Sequence, residues 1–541
     1  MMNLRRWTFA LLLLVMAAAC SKQEIVPEPE PVAQSRLRSI TVEAKRLVLD
    51  EGGSVELPFS VKDPDFVFTS LVLRTGTGDT PREFSLKEFR PASEEGSYVA
   101  VLSDAGLQES YEIQVCLAIV QRNPDTGVES LVTSLFFTVA SAFNGPETGL
   151  PIVYVDTEGA VRITSKETYV QASLQIRGAG QWESLPAVGC SVRGRGNTTW
   201  TWPKKPYLLK LEEKQSVFGM HRHKRWVLLA NFMDRTLMRN MVSMKVSSLT
   251  RLDWTPGCVP VELVLNGKHQ GTYLLIEQVR VDNHRVAVTE MTPEDNSGEA
   301  VTGGYLLELD FHYDNEVQWT DPHGRNGAWG SGIPFGVKYP DPDEITPLQL
   351  AYIKGYVSEA AKTLYSDGFQ DPEKGYAQYI DVDSFIDYWI VFEVMCNHEL
   401  SNPGSVFMHK DRGGKLVAGP CWDFDWGVLS FYTSGGETRL VNEKAIWYER
   451  LFQDPAFKAR LKARFQELLP QLQTIPDYMD ECEALLKESA ALNFQMWNPA
   501  DDKSQNGGHI INGDENLSFH DAVVRLKKNY LKHLEVIQSK L

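Results

Sequence analysis

The spacing of apolar positions changes character along this 541-residue chain. Between residues 36 and 142, apolar and polar positions alternate in short runs: Ser54 to Val61, Phe66 to Leu73, Tyr98 to Leu102, Tyr111 to Val120 and Ser130 to Val139. Turns rich in Gly, Pro, Asp and Asn separate the runs. Period-two alternation buries one side of each run, and this strand count and spacing predict an immunoglobulin-like β-sandwich over 36–142. No catalytic constellation falls inside it, so it reads as a spacer or protein-contact module. A turn-rich boundary follows at 143–151. Mixed α and β patterning then runs to about residue 440. From 443 to 495, Trp447, Leu451, Phe452, Phe457, Leu461, Phe465, Leu468 and Leu469 recur at helical spacing. Residues 498–515 are polar and Gly/Asn-rich, which predicts a surface loop, and 518–541 predict a last amphipathic helix. The fold class is α+β.

The N-terminus changes the picture by adding a compartment. Arg5 and Arg6 precede an apolar run from Trp7 to Met16, too short to span a bilayer as a helix. Ala17, Ala18 and Ala19 then lead into Cys20. Small residues before a cysteine, directly after an apolar segment, predict a lipoprotein signal peptide over 1–19 with lipidation at Cys20. Residues 20–35, with Pro27, Pro29 and Pro31 alternating with Glu28 and Glu30, predict an extended tether. The expected location is secreted and lipid-anchored to a bacterial membrane, at the outer membrane or cell surface. No other segment has the length and apolarity of a span. Six cysteines remain, at 116, 190, 258, 396, 421 and 482, without CxxC or a Cys/His cluster. That spacing gives no disulfide framework and no structural zinc site; buried free thiols are expected. The net charge of −17 argues against a nucleic-acid partner held by phosphate contacts.

Four segments carry candidate chemistry. In the first, Arg193-Gly194-Arg195-Gly196-Asn197 precedes Trp200, Trp202 and a strand-like run opened by Lys204 and Lys205. Glycines let backbone N–H groups approach phosphate oxygens, and a lysine on a neighbouring strand would complete a nucleotide site. In the second, Asp234 predicts the N-cap of a helix running to about Leu249, with Arg239 set for a structural ion pair or the site. In the third, Asn266-Gly267 between alternating runs predicts a hairpin whose second strand ends at Glu277. In the fourth, an apolar helix from Asp381 to Cys396 ends at Asn397-His398-Glu399. A hairpin follows, and then Trp422-Asp423-Phe424-Asp425-Trp426-Gly427. Two carboxylates at i and i+2 can share a hard cation such as Mg²⁺. His398 reads as a loop-packing residue, and the run His221 to Arg225 as a solvated basic turn.

In combination the RGRGNTTW…KKPYLLKL block, the NG-x3-GTYLLIE hairpin and the GPxWDFDWG block resemble the CotH (spore coat protein H) kinase family over roughly residues 150–495. The resemblance implies a reduced, atypical two-lobed protein-kinase-like domain over 150–541, with an N-lobe to about 310 and a C-lobe with a helical C-terminal part from 311. It implies that Lys205, preferred over Lys204, is the nucleotide lysine. It implies ATP as the donor, Asp423 and Asp425 as ligands of Mg²⁺ or Mn²⁺, and a protein substrate. Where the family carries a catalytic aspartate, this chain carries Glu399, one methylene longer. The second helix offers no glutamate to pair the lysine, which leaves Glu277 as the expected substitute. The reading is an atypical secreted kinase moving a nucleotide γ-phosphoryl group to a hydroxyl. The alternative is a catalytically weak or inactive surface lipoprotein that binds a nucleotide, glycan or protein partner.

Overall fold

The computed structural model describes residues 40–48, 54–62, 67–75, 82–85, 88–103, 112–140, 146–312, 317–326, 330–501, 512–514 and 516–541. The signal segment 1–19, Cys20 and the 20–35 tether lie outside the described residues. Among the described residues, no helix is long and apolar enough to cross a membrane.

The first ten strands are β1 (Ile40–Val42), β2 (Arg46–Val48), β3 (Ser54–Val61), β4 (Val67–Thr75), β5 (Arg82–Ser85), β6 (Glu88–Pro91), β7 (Ser97–Ser103), β8 (Glu112–Arg122), β9 (Glu129–Thr133) and β10 (Phe137–Ala140). They form two sheets, one in the order β1-β3-β7-β6 and one in the order β2-β10-β8-β4-β5 with β9 also on β8. One core joins them, with Leu57, Phe59 and Leu102 from the first sheet against Val115, Leu117, Ile119 and Val139 from the second. The run expected at 130–139 is two strands. Ser134 breaks it, because its Oγ accepts from Leu117 N at 2.9 Å and donates to Leu135 O at 2.8 Å.

The next seven strands close into a barrel. They are β11 (Ile152–Thr157), β12 (Val170–Arg177), β13 (Leu185–Gly194), β14 (Tyr207–Gln215), β15 (His223–Leu229), β16 (Cys258–Leu265) and β17 (Lys268–Glu277). The order is β11-β12-β13-β14-β15-β17-β16, and β16 returns to β11 in parallel. Asn266 and Gly267 take φ of 49° and 71°, as a tight hairpin requires. Alternate residues serve two cores: Leu209, Trp226, Leu228 and Leu275 fill the barrel, while Leu208, Val227, Leu229 and Ile276 face the rest of the chain. Burial on both faces is why β15 ends as the continuous apolar run Trp226–Leu229.

Two helices interrupt the barrel strands, α1 (Thr198–Thr201) and α2 (Arg239–Ser247). The latter starts later than Asp234 because Arg235–Met238 form a loop that folds over the aspartate. The N-cap is therefore Met238 and not Asp234, although Asp234 accepts from Arg239 N at 2.9 Å across that loop. Beyond the barrel lie β18 (Tyr305–Leu309), β19 (Gln318–Asn326), β20 (Gly330–Tyr339), β21 (Val406–Lys410) and β22 (Leu416–Ala418), in the order β19-β20-β18-β21-β22. The helices are α3 (Pro347–Leu364), α4 (Val382–Val394), α5 (Phe431–Ser434), α6 (Tyr448–Leu451), α7 (Pro455–Leu472), α8 (Ile475–Met496) and α9 (Phe519–Lys540). Nearly every side chain of α4 is buried, so this helix is the axis of the second half. Asp381 caps it through Ser384 N at 2.7 Å. Asp387 ties it to α7 through a fork of bonds from Arg464, at 2.7 and 3.0 Å. The helical stretch expected over 443–495 is three helices, restarted at the Asp454 cap and at residue 474. The chain is a mixed α+β protein.

Candidate active site

A cavity of about 970 Å³ lies between the barrel's outer face and the β18–β20 sheet. Arg193, Arg195, Gly196 and Asn197 line it from the barrel side. Glu308 and Asp310 line it from β18 and the residue beyond, Glu399 from the loop after α4, and Asp423 and Asp425 from the late acidic turn. Five carboxyl groups therefore share the end of the cavity where Arg195 lies.

The acidic turn is held by its backbone. Asn240 Oδ1 of α2 accepts from Phe424 N at 2.9 Å. Asn397 Nδ2 donates to Asp423 O at 3.4 Å, and Asn512 Nδ2 to Asp425 O at 3.1 Å. Three asparagines from distant parts of the chain thus grip three successive residues. Asp423 sits at φ 66°, a left-handed conformation costly for a residue with a Cβ, so such a grip is needed. The carboxyls of Asp423 and Asp425 lie close enough to act on one another. Burial raises the pKa of both, and Asp423 pushes Asp425 well above the ordinary carboxylate range. Glu399 is also well above that range, through burial and then the charges of Asp423, Asp425 and Asp310. Its backbone N–H is fixed by Asn397 Oδ1 at 2.9 Å.

Arg195 opposes these charges. Its guanidinium lies 5.5 Å from the centre of the Trp422 ring and feels Asp423, Asp425 and Glu308. A second link is apolar: Trp202 and Trp426 stack with centroids 6.5 Å apart and planes 6° from parallel. The early basic block and the late acidic block, more than two hundred residues apart in sequence, share one cleft.

The other expected site residues divide. Arg193, Arg195, Gly196 and Asn197 line the cavity; Gly194, Lys204, Lys205 and Glu277 do not. Gly194 N–H is already spent on Ser165 O at 2.8 Å, and a Cβ there would fall 2.4 Å from the Trp200 ring. Its glycine makes room for an indole rather than for a phosphate. Lys205 Nζ turns back to Trp200 O at 2.7 Å. Lys204 is buried, bonded to Ala230 O at 2.9 Å, to Asn493 Oδ1 at 2.8 Å and to Thr272 O. Burial lowers its pKa to about 7, while three acceptors match the three N–H bonds of an ammonium. Glu277 accepts from Gly257 N at 2.9 Å and faces Arg285 at 3.5 Å, so its ionic partner is an arginine and not a lysine. Arg239 is structural, clamped between Asp234 and Asp514. His398 lines the cavity beside Glu399.

A family model described as CotH kinase protein matches residues 192–533, more than half of the chain. The chain belongs to the CotH kinase family. No curated protein matches it. The CotH match covers Glu308, Asp310, Glu399, Asp423 and Asp425, together with Arg193, Arg195 and the asparagines that hold the acidic turn.

Do the residues of this CotH site suit a divalent cation? Among the described residues, no three His, Cys, Asp or Glu side chains form a ready-made metal cage. The Asp423–Asp425 pair is buried and electronegative, and a hard cation there would offset the repulsion between the two carboxyls. Mg²⁺ commonly takes one or two carboxylates and completes its shell with phosphate oxygens and water. The donor set fits that pattern. Sequence reasoning missed Glu308 and Asp310. Their signal was available: in Leu306-Leu307-Glu308-Leu309-Asp310, strand alternation puts both acids on one face, opposite two buried leucines.

Proposed function

We propose that the chain is an atypical kinase that transfers the γ-phosphoryl group of ATP to a hydroxyl, on protein, with Mg²⁺ or Mn²⁺. The observation that carries this reading is Arg195 set among Asp423, Asp425 and Glu308 in one cavity. A cation and a carboxylate pair converging on one point suit a metal-bound polyphosphate. The barrel acts as the N-lobe and the β18–β22 sheet with its helices as the C-lobe. Asp423 and Asp425 would hold the metal, which neutralises charge on the phosphates when bound. Arg195 and Arg193 would hold phosphate oxygens, in place of the two lysines that point elsewhere. Glu399 would receive the acceptor's proton while the oxygen–phosphorus bond forms and the β–γ bridge breaks. Burial and the neighbouring carboxylates raise its pKa, and neutralising Asp423 and Asp425 would lower it towards the carboxylate range. The 36–142 strands would be an immunoglobulin-like spacer, and Cys20 a lipid anchor that puts the kinase at a bacterial membrane surface.

Calorimetry with Mg-ATP tests this reading, with Asp425→Ala as control. Metal-dependent binding that the variant loses supports it, and no binding overturns it. One observation favours an alternative, binding without transfer: neither Lys204 nor Lys205 lines the cavity, and Lys338, which does, is paired with Glu308 at 3.1 Å. Binding without turnover of any acceptor hydroxyl would select that alternative.

A further inference from the structure

A chain of buried polar groups runs from the last helix to the Glu399 loop. It starts at His533 on α9 and Glu393 on α4, both fully buried. His533 Nε2 faces Glu393 Oε1 at 3.0 Å, and its Nδ1 faces Gly436 O at 2.7 Å. Two acceptors for two ring nitrogens specify an imidazolium. Burial works against that charge, yet the bond to Glu393, its carboxylate charge and the Gly436 carbonyl hold the pKa above its ordinary value. Glu393 also accepts from Val441 N and from Asn442 N, each at 2.8 Å. The fit is close: a Cβ on Gly436 would lie 2.3 Å from Cys396 Sγ and 3.1 Å from His533 Nδ1.

The chain continues from Asn442, whose Nδ2 donates to Asn397 O at 2.9 Å. Asn397 in turn holds Glu399 N and Asp423 O. Nothing in the folding of α4 requires this last connection, because Asp381 caps the helix start and Met395 N already closes on Val391 O.

We propose that Asn442 is a positioning residue, which acts through Asn397 to set the Glu399 loop and is itself held by the His533–Glu393 pair. The proposal rests on Glu399 being the base of the reaction proposed above. A base displaced by about 1 Å loses about 10²-fold in rate, so the effect falls on turnover and not on nucleotide binding.

The test compares wild type with Asn442→Ala and His533→Gln in the full chain. Four quantities are measured: turnover with Mg-ATP, the dissociation constant for Mg-ATP, the melting temperature, and hydrogen exchange at the Glu399 amide. The expected result is turnover about 10-fold lower or worse, affinity unchanged, and loss of protection at the Glu399 amide in both variants. Unchanged turnover with the amide still protected overturns the proposal. So does a turnover loss that only tracks affinity and melting temperature, as a merely structural role would give. If wild type shows no turnover, the kinase reading fails separately, and exchange at Glu399 still decides whether Asn442 sets the loop.

Discussion

Lys204 Nζ donates a 2.8 Å hydrogen bond to Asn493 Oδ1, joining the first basic motif to a helix 289 residues downstream. With Ala230 O and Thr272 O as its other acceptors, this lysine pins α8 to the barrel wall. Its neighbour Lys205 makes only a local bond to Trp200 O. Two adjacent lysines therefore have unlike roles, set by the bend that leads into β14, which turns one inward and leaves the other against Trp200. Lys204→Met should cost about 3 kcal/mol or more, because three buried acceptors lose their donor. Lys205→Met should cost under about 1 kcal/mol. Urea unfolding of the two variants checks both.

Metal binding should release protons. Burial, and then the charge of their carboxylate neighbours, raise the pKa of Asp425 and Glu399 well above the ordinary carboxylate range, and a bound cation would lower both again. Titration with Mn²⁺ in buffers of different ionisation enthalpy should show uptake of at least one proton by the buffer near neutral pH. Asp425→Asn should abolish that release.

Arg195→Met should weaken Mg-ATP binding at least about 10-fold, the scale of one lost charge-assisted contact. The same change removes the positive charge that stabilises Asp423, so that carboxyl's pKa should rise further. Calorimetry reads the first effect, and the pH dependence of Mn²⁺ binding reads the second. Arg195→Lys should restore only part of the affinity, since an ammonium lacks the planar fork.

Two histidines should shape stability against pH with opposite signs. His223 Nδ1 accepts from Arg225 N at 2.9 Å and so must be unprotonated. Burial and then Arg285 lower its pKa to about 4. The unfolded chain takes that proton first, so stability falls as pH drops from about 6.5 towards 4. His533 is raised, so its contribution is complete below about 6.5 and is lost as pH rises through the raised value. Urea midpoints across pH should show both limbs. His223→Gln should flatten the acid limb and His533→Gln the alkaline one.

What the sequence makes legible follows from local chemistry. The Asn266-Gly267 hairpin, the start of α4 at Asp381 and the acidic turn are all written in a few adjacent residues. The strand break at Ser134 is not, because it depends on Leu117 across the sheet. The same holds for the site. Asp423, Asp425 and Glu399 announce themselves by motif, whereas the choice between Lys204, Lys205 and Arg195 turns on which face of a strand or turn each occupies. The asparagines at 240, 397 and 512 matter only through backbone groups brought to them by the fold.

The barrel closes through β11 lying parallel to β16, with Ile152 opposite Glu262 and Val155 opposite Leu265. Both β11 and β12 precede residue 192, where family recognition begins. A recombinant piece cut to the recognised limits would lack β11, β12 and all of β13 but Val192–Gly194, exposing the flanks of β14 and β16 and emptying the positions of Val153, Val155, Leu174, Ile176 and Cys190. What a family profile can detect is thus shorter than what can stand alone. Fragments meant for biochemistry on this chain should begin upstream of Leu150.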